Sequence, residues 1–132
     1  YKLMNAKVKK VMIVDDNEFD CYFTSKIITN FDETADIMEF NSSVTAIQYL
    51  EEFQNVTTKL PDLILLDIYM PILDGFEFIE KFNSLSDTLK NHTKICILST
   101  TVDDLYIHKA KVDESVLFSS KPITKEFVES IF

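Results

Sequence analysis

Residues 60–79 read LPDLILLDIYMPILDGFEFI. Leu63-Ile64-Leu65-Leu66 is a short, unbroken apolar run, and Asp67 ends it. A strand buried on both faces has this pattern, because neither side of its pleat meets water. Asp74-Gly75 is a turn dipeptide that breaks the extended chain. Phe76, Ile79 and Phe82 then recur every three residues, the spacing of one helix face. The stretch therefore reads as a strand, a loop with a carboxylate at its head, and a helix.

The same alternation continues in both directions. Apolar runs occur at Val11-Met12-Ile13-Val14, Ile37-Met38-Glu39-Phe40, Ile95-Cys96-Ile97-Leu98 and Val116-Leu117-Phe118. Glu39 interrupts the second run, which predicts an edge strand where one side chain reaches water. Between the runs lie helical patterns. Phe19, Phe23, Ile27 and Phe31 recur every four residues, with Ile28 beside them, and predict one apolar stripe. Val44, Ile47, Leu50 and Phe53 follow Ser43, a capping residue type. Leu105 to about Lys111 forms a fourth, weaker helical stretch, and Thr124 to Phe132 a last one. Residues 83–93 are polar and read as a longer loop. Strand and helix alternating five times predict an α/β fold with a parallel sheet. Right-handed crossovers then place helices on both faces of a doubly wound sheet of order 2-1-3-4-5.

Composition narrows the function. The 132 residues form one domain, 1–132, on size alone. With 13 basic and 22 acidic residues the net charge is −9, which disfavours direct nucleic-acid binding. The single glycine, where average usage gives about nine, excludes a phosphate-binding P-loop or dinucleotide fingerprint. Nothing approaches the ~20 apolar residues of a membrane span, and the first residues do not read as a charged-then-apolar leader, so secretion is not expected. Cys21 and Cys96 lack metal-ligand spacing and read as two reduced thiols, so a cytoplasmic location is expected. His92 and His108 have no partners at ligand spacing and are expected to face solvent. The eleven Phe lie mostly at core spacing.

In the 2-1-3-4-5 order the carboxyl ends of the strands converge. Asp15 and Asp16 follow the first strand, Asp67 the third, Ser99 and Thr100 the fourth, and Lys121-Pro122 the fifth. At ~4 Å and an effective dielectric of about 20, each like-charge contact costs about 4 kcal/mol. Lys121 offsets one such charge, so a proton or a divalent cation must complete the balance. Hard oxygen donors without Cys or His point to Mg²⁺, Mn²⁺ or Ca²⁺, and so few carboxylates fit Mg²⁺ best. A central carboxylate beside a cation, an ammonium and a hydroxyl suits acceptance of a phosphoryl group. Each of these features alone is more simply a turn or a helix cap; their convergence argues for a phosphoaspartate site.

The strings KVMIVDDNEFD (10–20), LPDLILLDIYMPILDGFEFI (60–79), KICILST (94–100) and LFSSKPIT (117–124) resemble the receiver domain of two-component response regulators, across essentially the whole chain. The resemblance implies the flavodoxin-like fold already expected. It implies Asp67 as phosphoacceptor. It implies Asp15, Asp16, Asp67 and the backbone carbonyl of Tyr69 as ligands of Mg²⁺. Lys121 and Ser99 would contact the phosphoryl group, Ser99 and Phe118 would be switch residues, and Tyr69 and Thr101 would tune the phosphoryl lifetime. Pro71 and Gly75 would shape the loop after the third strand, and the Lys121–Pro122 bond would be cis. The donor would be a sensor histidine kinase or a histidine phosphotransfer protein. An effector or a second copy would dock on the face made by the fourth helix, the fifth strand and the last helix. Such a protein catalyses only its own phosphorylation and dephosphorylation, so no enzyme in the ordinary sense is expected.

Three other readings compete. A degenerate receiver would be a phosphorylation-independent interaction module, but would lack part of the set Asp15, Asp16, Asp67 and Lys121. A flavodoxin-like cofactor protein needs a hydroxyl-rich loop after the first strand, where the two aspartates would repel phosphate. A phosphohydrolase of the haloacid dehalogenase type needs Asp-x-Asp there, whereas residues 15–17 read Asp-Asp-Asn. The chain carries no recognisable output domain, so it is expected to be a stand-alone receiver or one taken from a longer protein.

Overall fold

The computed structural model describes residues 8–100 and 115–132. Five strands form one sheet: β1 (Lys10–Val14), β2 (Asp36–Phe40), β3 (Leu63–Asp67), β4 (Lys94–Ser99) and β5 (Leu117–Ser120). All pairings are parallel and the order is β2-β1-β3-β4-β5. The helices are α1 (Glu18–Phe31), α2 (Ser43–Phe53), α3 (Gly75–Asn83), α4 (Asp87–His92) and α5 (Lys125–Ile131). The expected helical stretch at 105–111, with Thr101 and His108, lies outside the described residues.

The unbroken apolar runs are explained by where alternate side chains go. Met12, Val14, Ile64, Leu66, Ile95 and Ile97 enter one core with Ala46, Ile47 and Leu50 of α2 and Phe78, Ile79 and Phe82 of α3. Val11, Ile13, Leu63, Leu65, Cys96 and Leu98 enter the other with Cys21 and Ile28 of α1 and Val128 and Ile131 of α5. A strand residue on either face thus loses its water, which favours folding by roughly 1.5–3 kcal/mol for each large aliphatic side chain. β2 is an edge strand as its Glu39 suggested, and Glu39 is exposed.

Three expectations about the helices are corrected. The four-residue stripe of α1 is not its core face: Phe19, Phe23 and Phe31 are 82%, 64% and 43% exposed. Cys21, Thr24 and Ile28 are the buried residues. A step of four residues drifts by about 40° around a helix, so the stripe winds from the solvent side to the flank. Ile27 is part-buried at that flank, and Phe31 meets Phe132, with ring centroids 6.3 Å apart. Small Cys21 and Thr24 let the helix lie close to the sheet, which a phenylalanine there would prevent. The cap of α2 is Ser42, whose side chain accepts from Thr45 N, while Ser43 is buried and donates to the Leu73 carbonyl at 2.5 Å. The polar stretch 83–93 is not all loop: Ser86 caps α4 by accepting from Leu89 N, and Leu89 is wholly buried. One apolar anchor gives too little periodicity to read in a six-residue helix.

His92, expected to face solvent, is part-buried and lies 3.1 Å from Asp62 Oδ1. Asp62 also accepts from Lys9 N at 2.9 Å and Lys10 N at 3.0 Å. These bonds tie β1 to the start of β3 and so help set the register that brings Asp15 and Asp67 together at the other end. Among the described residues no helix is long and apolar enough to cross a membrane.

Candidate functional site

Parallel pairing of Val14 with Leu66, and of Asp67 with Leu98, places the carboxyl ends of β1, β3 and β4 side by side. Asp15 leaves β1 and is 3% exposed. It is held firmly: its N donates to the Phe40 carbonyl at 3.0 Å, and its Oδ1 accepts from Asn17 N at 3.0 Å. Its carbonyl accepts from Asn41 Nδ2 at 3.0 Å and from Cys21 Sγ at 3.4 Å. Asp16 is exposed. One carboxylate oxygen from each of Asp15, Asp16 and Asp67 lies within 4.8 Å of the others. Three hard oxygen donors, with no sulfur or imidazole among them, suit a divalent cation of the Mg²⁺ kind.

Lys121 enters from the loop after β5. Its N donates to the Ser99 carbonyl at 2.9 Å, extending the β4–β5 ladder, and its peptide bond to Pro122 is cis. The ammonium lies 2.6 Å from Asp15 Oδ2, 2.8 Å from Asp20 Oδ2 and 3.7 Å from Asp67 Oδ2. Burial by itself would lower the Lys121 pKa. Hydrogen bonds to Asp15 and Asp20 and the charge of Asp67 outweigh it and hold the ammonium above the usual lysine range. Burial pushes the Asp67 carboxyl up to about 6. Lys121 opposes this, Asp15 and Asp16 reinforce it, and a backbone hydrogen bond from Tyr69 opposes it. Cys21, beneath Asp15, is pushed up to about 12 by burial and then by the Asp15 charge, so its thiol stays protonated and unreactive.

The loop from Asp67 to α3 is shaped by two backbone features. Gly75 N donates to the Ile68 carbonyl at 3.0 Å, and a Cβ at Gly75 would stand 3.1 Å from Ile68 Cα. Glycine lets α3 start this close to the residue after Asp67, and any side chain there would press Ile68 back by a few tenths of an ångström. Ile72 adopts φ 72°, a left-handed conformation that a β-branched residue rarely takes, and its side chain is 89% exposed. Asp74 and Glu77 form a capping box that starts α3. Tyr69 is 60% exposed.

The geometry therefore collects Asp15, Asp16, Asp67 and Lys121 at one edge, with Ser99 buried at the end of β4. Phe118 is on β5, part-buried against the core of α2 and α3. Asp20 is a site residue to which the sequence motifs assign no role. The available signal is its place on the first turn of the helix that follows directly on the Asp15-Asp16 pair, which keeps it close to the strand end.

A family model described as the response regulator receiver domain matches residues 11–131. The chain belongs to the receiver domain family. A transcriptional regulatory protein, PrrA of Mycobacterium leprae, is 32% identical over 97 residues, covering 72% of this chain and 36% of that protein. The hybrid signal transduction histidine kinase L of Dictyostelium discoideum is 28% identical over 127 residues, covering 92% of this chain and 7% of the kinase. A crystal structure of a two-component response regulator from Cytophaga hutchinsonii superposes with a TM-score of 0.81 at 28% identity, covering 94% of this chain and 93% of that one. The chain thus spans about a third of the one sequence relative, a small part of the other, and nearly all of the solved response regulator. Its sheet order is the expected 2-1-3-4-5, and the carboxylate edge just described belongs to a domain of two-component signalling.

Proposed function

We propose that this receiver accepts a phosphoryl group on Asp67 from a phosphohistidine donor and relays the event to a partner. The observation that carries the reading is the placing of Asp67 between two further carboxylates and the Lys121 ammonium. Asp67 would attack phosphorus. A phosphorus–oxygen bond forms, the phosphorus–nitrogen bond of the donor breaks, and the departing imidazole takes a proton. Raised to about 6 in the metal-free protein, the carboxyl is still mostly ionised at neutral pH, and a bound cation would favour the ionised, nucleophilic form further. Asp15, Asp16, Asp67 and the Tyr69 carbonyl would hold Mg²⁺, which supplies positive charge to the transferring oxygens. Lys121 would neutralise a phosphoryl oxygen, and Ser99 would donate to another.

The donor is proposed to be a sensor histidine kinase or a histidine phosphotransfer protein, consistent with one relative being a hybrid histidine kinase. The chain 1–132 would act as one receiver in the cytoplasm. Movement of Ser99 toward the phosphoryl group would be read through Phe118 at the face of the 105–111 stretch, β5 and α5, where an effector or a second copy docks. Phe118 is already part-buried, so its further burial contributes only part of the roughly 1.5–3 kcal/mol of a full transfer. Tyr69 and Thr101 would set the lifetime.

Intact mass after incubation with a small acyl phosphate and Mg²⁺ tests the acceptor. A gain of one phosphoryl group in the wild type, absent in Asp67→Ala and absent without divalent metal, is expected. A gain that survives Asp67→Ala rules the assignment out. The relay is tested by partner affinity or dimerisation, with phosphorylated Ser99→Ala responding less than phosphorylated wild type.

A further inference from the structure

Lys121 is shared unevenly. Its ammonium is within hydrogen-bond distance of Asp15 and Asp20, at 2.6 and 2.8 Å, but stands 3.7 Å from Asp67. An ammonium has three N–H donors, and two are committed away from the carboxylate that would carry the phosphoryl group. The two holding carboxylates are not equivalent. Asp15 is one of the three whose oxygens converge within 4.8 Å, so a cation there draws on it. Asp20 lies outside that group, on the first turn of α1, so a cation held by the group does not draw on it directly.

Asp20 is also placed to keep its grip. Its backbone N donates to the Asn17 cap at 3.1 Å, so the start of α1 fixes where its side chain begins. A cavity of about 230 Å³ is lined by Asp20, Phe23, Thr24, Thr100, Lys121 and Pro122. The Asp20–Lys121 pair therefore borders open space, into which either side chain can relax when the pair parts.

We propose that Asp20 is a positioning residue that retains the Lys121 ammonium on the α1 side of the site and thereby weakens the hold on a phosphoryl group at Asp67. The inference rests on the phosphoacceptor reading and adds a restraint to it. Removing the Asp20 charge frees Lys121 to turn toward Asp67, so a tetrahedral phosphoryl mimic binds more tightly. Glu18 lies on the same turn of α1 and is exposed, so its neutralisation removes equal charge and serves as the control.

The experiment is a ¹⁹F NMR titration with beryllium fluoride in saturating Mg²⁺, on wild type, Asp20→Asn, Asp20→Glu and Glu18→Gln. A ¹⁵N-lysine spectrum of each protein reports the Lys121 ammonium directly. The expected result is binding by wild type, binding about fivefold tighter by Asp20→Asn, and wild-type affinity in Asp20→Glu and Glu18→Gln. The Lys121 resonance should shift in Asp20→Asn before any fluoride is added, and stay in place in Glu18→Gln. Asp20→Asn binding no tighter than Glu18→Gln overturns the role of Asp20 while leaving the phosphoacceptor reading standing. Failure of wild type to bind overturns both.

Discussion

Asp67 combines two demands that oppose each other. Its position at the strand end buries it, and burial raises its carboxyl to about 6, against 3.8 for an ordinary aspartate. The metal-free folded protein therefore binds the Asp67 proton more tightly than the unfolded chain does. Its contribution is fully present below about pH 4 and is lost as the pH rises through about 6, on the order of 3 kcal/mol in all. Asp67→Asn removes a charge that the fold holds at a cost. In a chelator the variant should be more stable than wild type at pH 8, and the advantage should fade as the pH falls to 4. Urea unfolding of both proteins across that range checks this. Curves that stay parallel would show that Asp67 titrates normally.

At the scale of the element, α1 is the informative case. It docks on the sheet through Cys21, Thr24 and Ile28, while the larger side chains of its aromatic stripe face outward. Stability should follow burial, not hydrophobicity. Phe19→Ser, at a position 82% exposed, should change unfolding free energy by no more than about 0.5 kcal/mol. Ile28→Ala, at a wholly buried position, should cost about 2–5 kcal/mol, because it removes contacts and leaves a cavity between helix and sheet. Denaturant melts of the two variants decide the matter, and the reverse ranking would mean that the stripe is the core face after all.

The whole molecule pays for its carboxylate edge in stability. Asp15, Asp16 and Asp67 come from two strand ends far apart in sequence, and only the folded sheet forces their like charges together. The unfolded chain has no such site, so a cation that binds there stabilises the native state alone. At about 100 times its Kd, Mg²⁺ should add about 2.7 kcal/mol. Asp16→Asn should raise the metal-free Tm by removing one repulsion, and should shrink the increase that Mg²⁺ brings. Melting curves of wild type that coincide with and without saturating Mg²⁺ would mean that the cluster does not bind it.

Much of this was legible without coordinates. The runs at 11–14, 63–66 and 95–98 identify buried parallel strands because a strand covered on both faces has no polar side. The strand order then predicts that Asp15, Asp16, Asp67 and Lys121 meet, since each lies within three residues of the carboxyl end of a run. What tertiary structure alone decided is orientation. A stripe of Phe19, Phe23, Ile27 and Phe31 satisfies helical periodicity as well as Cys21, Thr24 and Ile28 do, and only docking against the sheet selects the smaller face. Leu89 shows the same limit, for a single buried side chain is enough to hold a short helix yet makes no pattern. Asp20 is the sharpest example. Its spacing places it near the strand end, but whether it pairs with Lys121 depends on the length and direction of two side chains from opposite ends of the chain, and those are set by packing, which local sequence does not encode.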